Sequence, residues 1–276
     1  MTTPPTIPAA WAGQIEGRLA TALELAQLAG DVTLSHFQDR SLEWERKQDD
    51  SPVTVADKAA EKAIRERVSA LFPNDAIEGE EFGGDSRQSD AEFAWIVDPI
   101  DGTKSFLSGV PLYSTLVGLT RNGEPFAGVI NIPALEEIVI AAQGLGCWYS
   151  AGGKPFVKTQ VSAKTKLSDS LFVLSQSDSF GKYASDDIFQ NLQNASYITR
   201  TWGDGYGYLL IATGRAELMV DPVVNAWDVA AVLPVIEEAG GQCTDWRGQR
   251  TIRGGNMVAT NGNLHSVVLE MLQPTL

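Results

Sequence analysis

Histidine, cysteine and positive charge are all scarce in this chain, and each scarcity removes a class of chemistry. His36 and His265 are the only histidines, so a histidine-rich zinc or iron site cannot be assembled. Any bound metal must be held mainly by oxygen, which selects magnesium, manganese or calcium. Cys147 and Cys243 lie far apart and outside any CxxC pattern, and they read as small buried apolar residues. Lys and Arg total 21 against 35 Asp and Glu, for a formal net charge of −14. That charge opposes nucleic acid as a partner, and no basic run offsets it. It equally repels a small anion, unless bound cations stand between. Long apolar runs are missing too: none approaches the roughly 20 residues that span a bilayer. The opening MTTPPTIPAA lacks the basic and apolar regions of a signal peptide and reads as a loose, Pro-rich leader on a cytoplasmic protein.

What is present is an ordinary globular composition, 43% hydrophobic and 20% charged, in 276 residues. That length buries a core without disulfides. Ile15, Leu19, Ala22, Leu23 and Ala26 recur at helical spacing and predict a first helix from about Ala10 to about Phe37. Thr54 can cap a second helix that carries Ala60, Ile64, Val68 and Leu71 on one face and stops before Pro73. AWIVD (94–98) reads as a buried strand delivering an acid to its tip, and Asn122-Gly123 marks a hairpin between two apolar runs. Strands are also expected at 136–142, near Cys147, at LFVLS and at AELMV. Helices are expected near Tyr206–Thr213, from Trp227 to Ala239, and near His265 at the end. Helices and strands mix without a strict alternation, which predicts layered sheets and helices in two lobes, 1–155 and 156–276.

Three acidic segments stand out. They are Gly79-Glu80-Glu81, then Asp98-Pro99-Ile100-Asp101-Gly102-Thr103 at the end of the AWIVD strand, then Trp227-Asp228 at a helix start. Pro99 biases Asp98 toward extended geometry, and Gly102 permits close backbone approach to a ligand. Asp98 and Asp101 can then face one site, with the Ile100 carbonyl as a further oxygen. A short helix beginning after Asp101 would aim the N–H groups of Gly102 and Thr103 at an anion. Each segment also has a plain structural reading. DPIDG is a common kind of turn, and Asp57 and Asp228 fit capping boxes with Thr54 and Asn225. Glu80-Glu81 could be a solvated pair on a loop.

WIVDPIDGTKSF (95–106) resembles the signature of the inositol monophosphatase superfamily. SPVTVADKAAE (51–61) and IEGEEFG (77–83) resemble its N-terminal segments, and NAWDVAAVLPVIEEAGG (225–241) resembles its second signature, in matching order. The resemblance implies a layered αβαβα fold of the α/β (α+β) class, usually dimeric. It implies Mg2+-dependent hydrolysis of a small phosphate monoester by water, with two or three ions and Mn2+ as an alternative. Position by position, Glu80 matches a first-metal ligand, Asp98 the carboxylate bridging two ions, and the Ile100 carbonyl another ligand. Asp101 and Asp228 match ligands of the second ion, while Gly102 and Thr103 match phosphate-binding residues. Asp57 and Thr103 correspond to the pair that positions or activates the water, and Glu81 is an outlying candidate. Most ligands then fall in the first lobe, and the substrate pocket with Asp228 in the second.

Substrate choice is read from TWGDGYGYLLIATGRAELMVDP (201–222) and TDWRG (244–248), which look more like the histidinol-phosphatase branch than like inositol phosphatases. Trp202, Gly203, Asp204 and Asp221 are the implied substrate-binding residues. The acids can pair with an ammonium or imidazole, and the indole can stack. Trp202 and Tyr206 could instead be core aromatics, Asp204 a helix cap and Asp221 a turn residue. Inositol-1-phosphate hydrolysis, a broader phosphatase and a metal-binding protein without catalysis are the alternatives. Lys47-Gln48-Asp49-Asp50 is a candidate closing loop.

Overall fold

The structure, a computed structural model, describes residues 6–47, 52–84 and 91–273. Helix α1 spans Arg18–Leu34, so it begins later than the apolar spacing predicts. Short 3-10 turns at Ala9–Trp11 and Gln14–Gly17 precede it. Gly13, Ile15, Glu16 and Gly17 all take positive φ, between 50° and 86°, which no α-helix accommodates. The buried Trp11 indole holds this irregular entry against α1. Strands β1 (Trp44–Arg46) and β2 (Pro52–Thr54) form a small antiparallel ribbon. Helix α2 (Val55–Leu71) starts at Thr54 with the expected capping box and buries Ala60, Ile64 and Val68.

The main sheet follows. Its strands are β3 (Ala76–Gly79), β4 (Gly83–Gly84), β5 (Phe93–Asp101), β6 (Ser114–Arg121), β7 (Glu124–Ile132), β8 (Glu137–Ala142), β9 (Gly146–Ala151) and β10 (Val157–Lys158), with helix α3 (Thr103–Leu107) after β5. Their order is β10-β9-β8-β7-β6-β5-β3-β4, antiparallel except for the β3–β5 pair. Asn122 and Gly123 both have positive φ, as a tight hairpin with matching twist requires. β5 runs three residues past Asp98, through Pro99, with a register shift against β6 between Asp98 and Asp101. A proline at such an irregularity removes no regular ladder bond.

The second sheet holds β11 (Leu171–Val173), β12 (Ile198–Arg200), β13 (Leu218–Asp221), β14 (Gln242–Thr244) and β15 (Met257–Thr260) in the order β12-β11-β13-β15-β14. Helices α4 (Asp178–Tyr183), α5 (Asp186–Ala195), α6 (Asp204–Ala212), α7 (Ala226–Val229), α8 (Val232–Glu238) and α9 (His265–Leu272) complete the chain. The single helix expected from Trp227 to Ala239 is broken into α7 and α8. Pro234 lacks an N–H, and its ring opposes the carbonyl four residues earlier at Ala230, where the break falls.

Three apolar cores stack the elements into alternating layers. The first joins α1 and α2 to one face of the main sheet through Leu19, Leu25, Ile64, Trp95, Val117 and Ile140. The second lies between the sheets, where α6, α7 and α8 bury Leu209, Ile211, Val229, Leu233 and Ile236. The third seats α4, α5 and α9 on the outer face of the second sheet through Phe180, Leu192 and Val268. The result is helix, sheet, helix, sheet, helix, the expected αβαβα sandwich. Gly118 and Gly128 let the α7–α8 junction press onto β6 and β7. A Cβ on Gly128 would lie 2.0 Å from the Ala231 carbonyl oxygen, and one on Gly118 2.8 Å from Ala230. That close approach brings Asp228 down to the tip of β5. Among the described residues no helix is long and apolar enough to cross a membrane.

Candidate active site

The three acidic segments converge where β5, α3 and α7 meet. One oxygen each of Asp98, Asp101 and Asp228 lies within 4.8 Å of the other two. Three separate causes produce this. β5 delivers Asp98 and, past the Pro99 irregularity, Asp101. The Asn225 cap starts α7 and sets Asp228 in its first turn, with the Asn225 N–H donating to Asp228 Oδ2 at 2.7 Å. Asp98 Oδ1 accepts from the Ile100 N–H at 3.0 Å, while Asp101 Oδ2 accepts from the Ser114 hydroxyl at 2.7 Å and from the Gly205 N–H.

The electrostatics are those of several buried acids sharing one field. Burial, then the charges of Glu80, Asp101 and Asp228, hold Asp98 well above the usual carboxylate range. Burial and the charges of Asp204 and Asp228 do the same to Asp101, against the opposing pull of Ser114 and Gly205. Burial raises Asp228 to about 7. A hard divalent cation resolves this conflict directly, because it accepts several carboxylate oxygens and replaces proton binding at each. The donor set therefore fits magnesium or manganese.

Glu80 sits beside the cluster, near enough to raise Asp98, but its Oε1 accepts from Lys47 Nζ at 2.7 Å. The same ammonium reaches Glu81 Oε1 at 2.6 Å. Glu81 is pushed up to about 7, chiefly by burial, although Lys47 opposes the shift. Of the candidate closing loop only Lys47 is described; Gln48, Asp49 and Asp50 lie outside the described residues.

Asp57 carries both of its readings at once. It is the N3 residue of the α2 capping box, with Oδ2 accepting from the Thr54 N–H at 2.8 Å and the Thr54 hydroxyl at 2.6 Å. It is also buried and electrostatically coupled to Glu80, and its carboxyl rises to about 6, mainly through burial. Gly102 has φ 85° and leads into α3, whose first residue, Thr103, donates its hydroxyl to the Ile100 carbonyl at 3.1 Å.

The four candidate substrate residues divide. Asp204 opens α6 with φ 55°, and its N–H donates to Ser175 Oγ at 3.0 Å. Its carboxylate lies over Gly102, where an added Cβ would stand 2.7 Å from Oδ2. Burial raises its pKa, with Ser175 and Lys104 opposing. Asp221, at the end of β13, is buried and held by Ser175 Oγ at 3.1 Å and the Tyr208 hydroxyl at 2.7 Å, and burial lifts it to about 6. Gly203 is buried because the Leu174–Ser175 backbone passes through the space of a side chain, 2.2 Å from a hypothetical Cβ. Trp202 is 41% exposed, with the Arg200 guanidinium 5.9 Å from its ring centre, so it is no core aromatic. Sequence reasoning missed Lys47 as a partner of the acids, and it missed Ser114, Ser175 and Tyr208. Nothing local marks these residues; they reach the site from other segments.

The chain matches the inositol monophosphatase family profile over residues 15–275. It is 44% identical to a histidinol-phosphatase of Chlorobaculum parvum, over 89% of this chain and 92% of that one. It is 37% identical to a histidinol-phosphatase of Mycobacterium tuberculosis, over 92% and 97% of the two chains. Its structure is similar to that of an inositol monophosphatase from Zymomonas mobilis, with a TM-score of 0.80 and 29% identity across 95% of this chain and 98% of that one. With the layered fold and a profile match over residues 15–275 in agreement, this protein belongs to the inositol monophosphatase family.

Proposed function

We propose that this chain hydrolyses L-histidinol phosphate to L-histidinol and phosphate, with water as the nucleophile. The observation that supports phosphatase chemistry is the gathering of Asp98, Asp101 and Asp228 from two distant segments into one acidic cluster. Similarity to the two histidinol-phosphatases supports the substrate. In this reading Glu80, Asp98, the Ile100 carbonyl, Asp101 and Asp228 hold two or three Mg2+ ions, or Mn2+ in their place. Ions held there would supply positive charge for the phosphoryl oxygens and make the nucleophilic water more acidic. In this reading Asp57 takes a proton from the attacking water and Thr103 helps to orient that water. Glu80 completes the catalytic group, and the Gly102 and Thr103 N–H groups bind phosphate.

Asp204 and Asp221 offer carboxylates to the ammonium and imidazole of the substrate, with Trp202 and Gly203 shaping the entrance. Lys47 pairs with Glu80 and Glu81, carboxylates whose charge a bound Mg2+ would otherwise offset. Residues 1–155 would form a lobe carrying most ligands, and residues 156–276 a lobe carrying the pocket and Asp228. The setting is cytoplasmic and the assembly a homodimer.

Phosphate release from histidinol phosphate and from inositol 1-phosphate, each with and without magnesium, tests the reading. We expect metal-dependent turnover and a kcat/KM preference for histidinol phosphate above tenfold, about 1.4 kcal/mol of discrimination. A smaller preference overturns the substrate, and no release from either ester overturns the phosphatase.

A further inference from the structure

Glu61 is an acid that the proposed chemistry does not use, and it is fully buried. It lies one helical turn beyond Asp57 on α2, so both acids leave the same face. Its carboxylate reaches the turn that carries Glu80. Oε2 accepts from the Glu81 N–H at 2.7 Å and Oε1 from the Phe82 N–H at 3.3 Å. Arg65, a further turn along α2, donates its Nε to Oε1 at 2.7 Å and an Nη2 proton to the Gly83 carbonyl. Gly79, immediately before Glu80, has no room for a side chain, because a Cβ would stand 2.2 Å from Glu61 Oε1.

A buried carboxylate is costly unless it is paired and hydrogen-bonded, and here every element of that compensation comes from Arg65 and the 79–83 turn. The backbone amides of two adjacent residues are locked onto a rigid helix. The direction in which the Glu80 and Glu81 side chains leave the backbone is thereby fixed. We propose that Glu61, braced by Arg65, is a positioning residue that aims Glu80 at the cation beside Asp98. This rests on the reading of Glu80 as a metal ligand. Partners of this kind change metal affinity by about 10–100-fold when removed, because the ligand must then be ordered by the metal itself.

Calorimetric titration of the metal-free full-length protein with magnesium chloride tests the inference, with thermal unfolding measured alongside. Glu61→Ala is expected to weaken Mg2+ binding by about 10–100-fold. Glu61→Gln, which keeps one acceptor for the Glu81 N–H, should recover part of that loss. Asp75→Asn is the control: it lowers the unfolding temperature without touching this turn, and its Mg2+ affinity should stay native. If Glu61→Ala does not fold, Arg65→Met and Gly79→Ala take its place, since each dislodges the same carboxylate, and weakened binding is again expected. Native Mg2+ affinity in folded Glu61→Ala, or in both substitutes, overturns the inference. Glu80→Gln separates the two levels. If it weakens binding while the Glu61 series does not, only the positioning role falls. If Glu80→Gln itself binds as the native protein does, the ligand role of Glu80 falls and the positioning role with it.

Discussion

Strand β5 buries two carboxylate sites within a few residues of each other, and they are opposites. Near Trp95, Asp75 is enclosed by donors. Arg18 Nη2 and Nε approach its two oxygens at 2.7 and 2.8 Å, and Trp95 Nε1 donates to it at 2.9 Å. The guanidinium is itself sandwiched by Phe72 and Phe93, at 4.5 and 4.3 Å from the ring centres. Three residues along, Asp98 is as deeply buried, 2% exposed against 3%, yet its neighbours are Glu80, Asp101 and Asp228. Burial is therefore not what marks the functional acid. The first carboxylate is neutralised by the protein's own guanidinium, whereas the second stands among other acids.

The sharpest way to break this contrast is to neutralise each centre. Asp98→Asn should lower phosphate release by more than the roughly 100-fold typical of removing an outlying partner of a ligand. In the metal-free protein it should leave the unfolding temperature unchanged or higher, because it removes one of several repelling charges. Asp75→Asn should do the reverse. It strands a buried guanidinium and costs about 3–5 kcal/mol of stability, read by denaturant unfolding, with the magnesium requirement unaltered. If both substitutions cost stability alike, the distinction between the neutralised and the crowded acid is wrong.

Titration sharpens the comparison further. Asp57, Glu81 and Asp228 rise to about 6, 7 and 7 in the folded, metal-free protein. An unfolded carboxyl titrates near about 4, so between that value and about 7 the folded state binds more protons. Stability of the metal-free protein should then fall as pH rises through this window. Added Mg2+ should restore more at pH 8 than at pH 6, as thermal unfolding would show.

His265 works with the opposite sign. Buried between the Thr244 and Thr260 hydroxyls, it is pushed down to about 4. An unfolded histidine titrates near about 6.5, so its contribution is whole above that pH and is lost as pH falls toward 4, with a size of about 1–3 kcal/mol. His265→Gln should flatten that acid limb and leave the magnesium effect intact. The smallest change expected is at the pocket rim. Trp202→Ala should alter the histidinol phosphate to inositol phosphate ratio more than the general rate, because the indole is exposed and lies against Arg200.

Much of the fold could be read where local chemistry is decisive. The Thr54 cap, the Asn122-Gly123 turn and the alternating apolar runs each specify an element without help from distant residues. Where a long-range contact competes, reading along the chain went astray. The spacing that places Ile15 on the first helix is overruled by the positive φ values of 13–17 and the seating of Trp11. The strand expected over 94–98 runs on through Pro99 to Asp101 with a register shift, and another proline divides a helix that looked continuous. The region with α4, α5 and β12 went unassigned because its apolar pattern is short. Phe180 in α4 and Ile188, Phe189 and Leu192 in α5 are its core contacts.

The sequence by itself determined the kind of chemistry open to this protein. With two histidines any bound metal must be held mainly by oxygen, and the resemblance of WIVDPIDGTKSF to the inositol monophosphatase signature implied a cation site at that turn. It also determined which acids start helices, since the caps of Asp57 and Asp228 are local. Tertiary structure decided which of those acids share a field. Asp228 joins Asp98 because Gly118 and Gly128 let α7 sink onto the sheet, Glu61 meets the Glu80 turn across an empty Cβ position, and Lys47 arrives from the ribbon. Such meetings depend on the packing distance between layers, a property that no window along the chain contains.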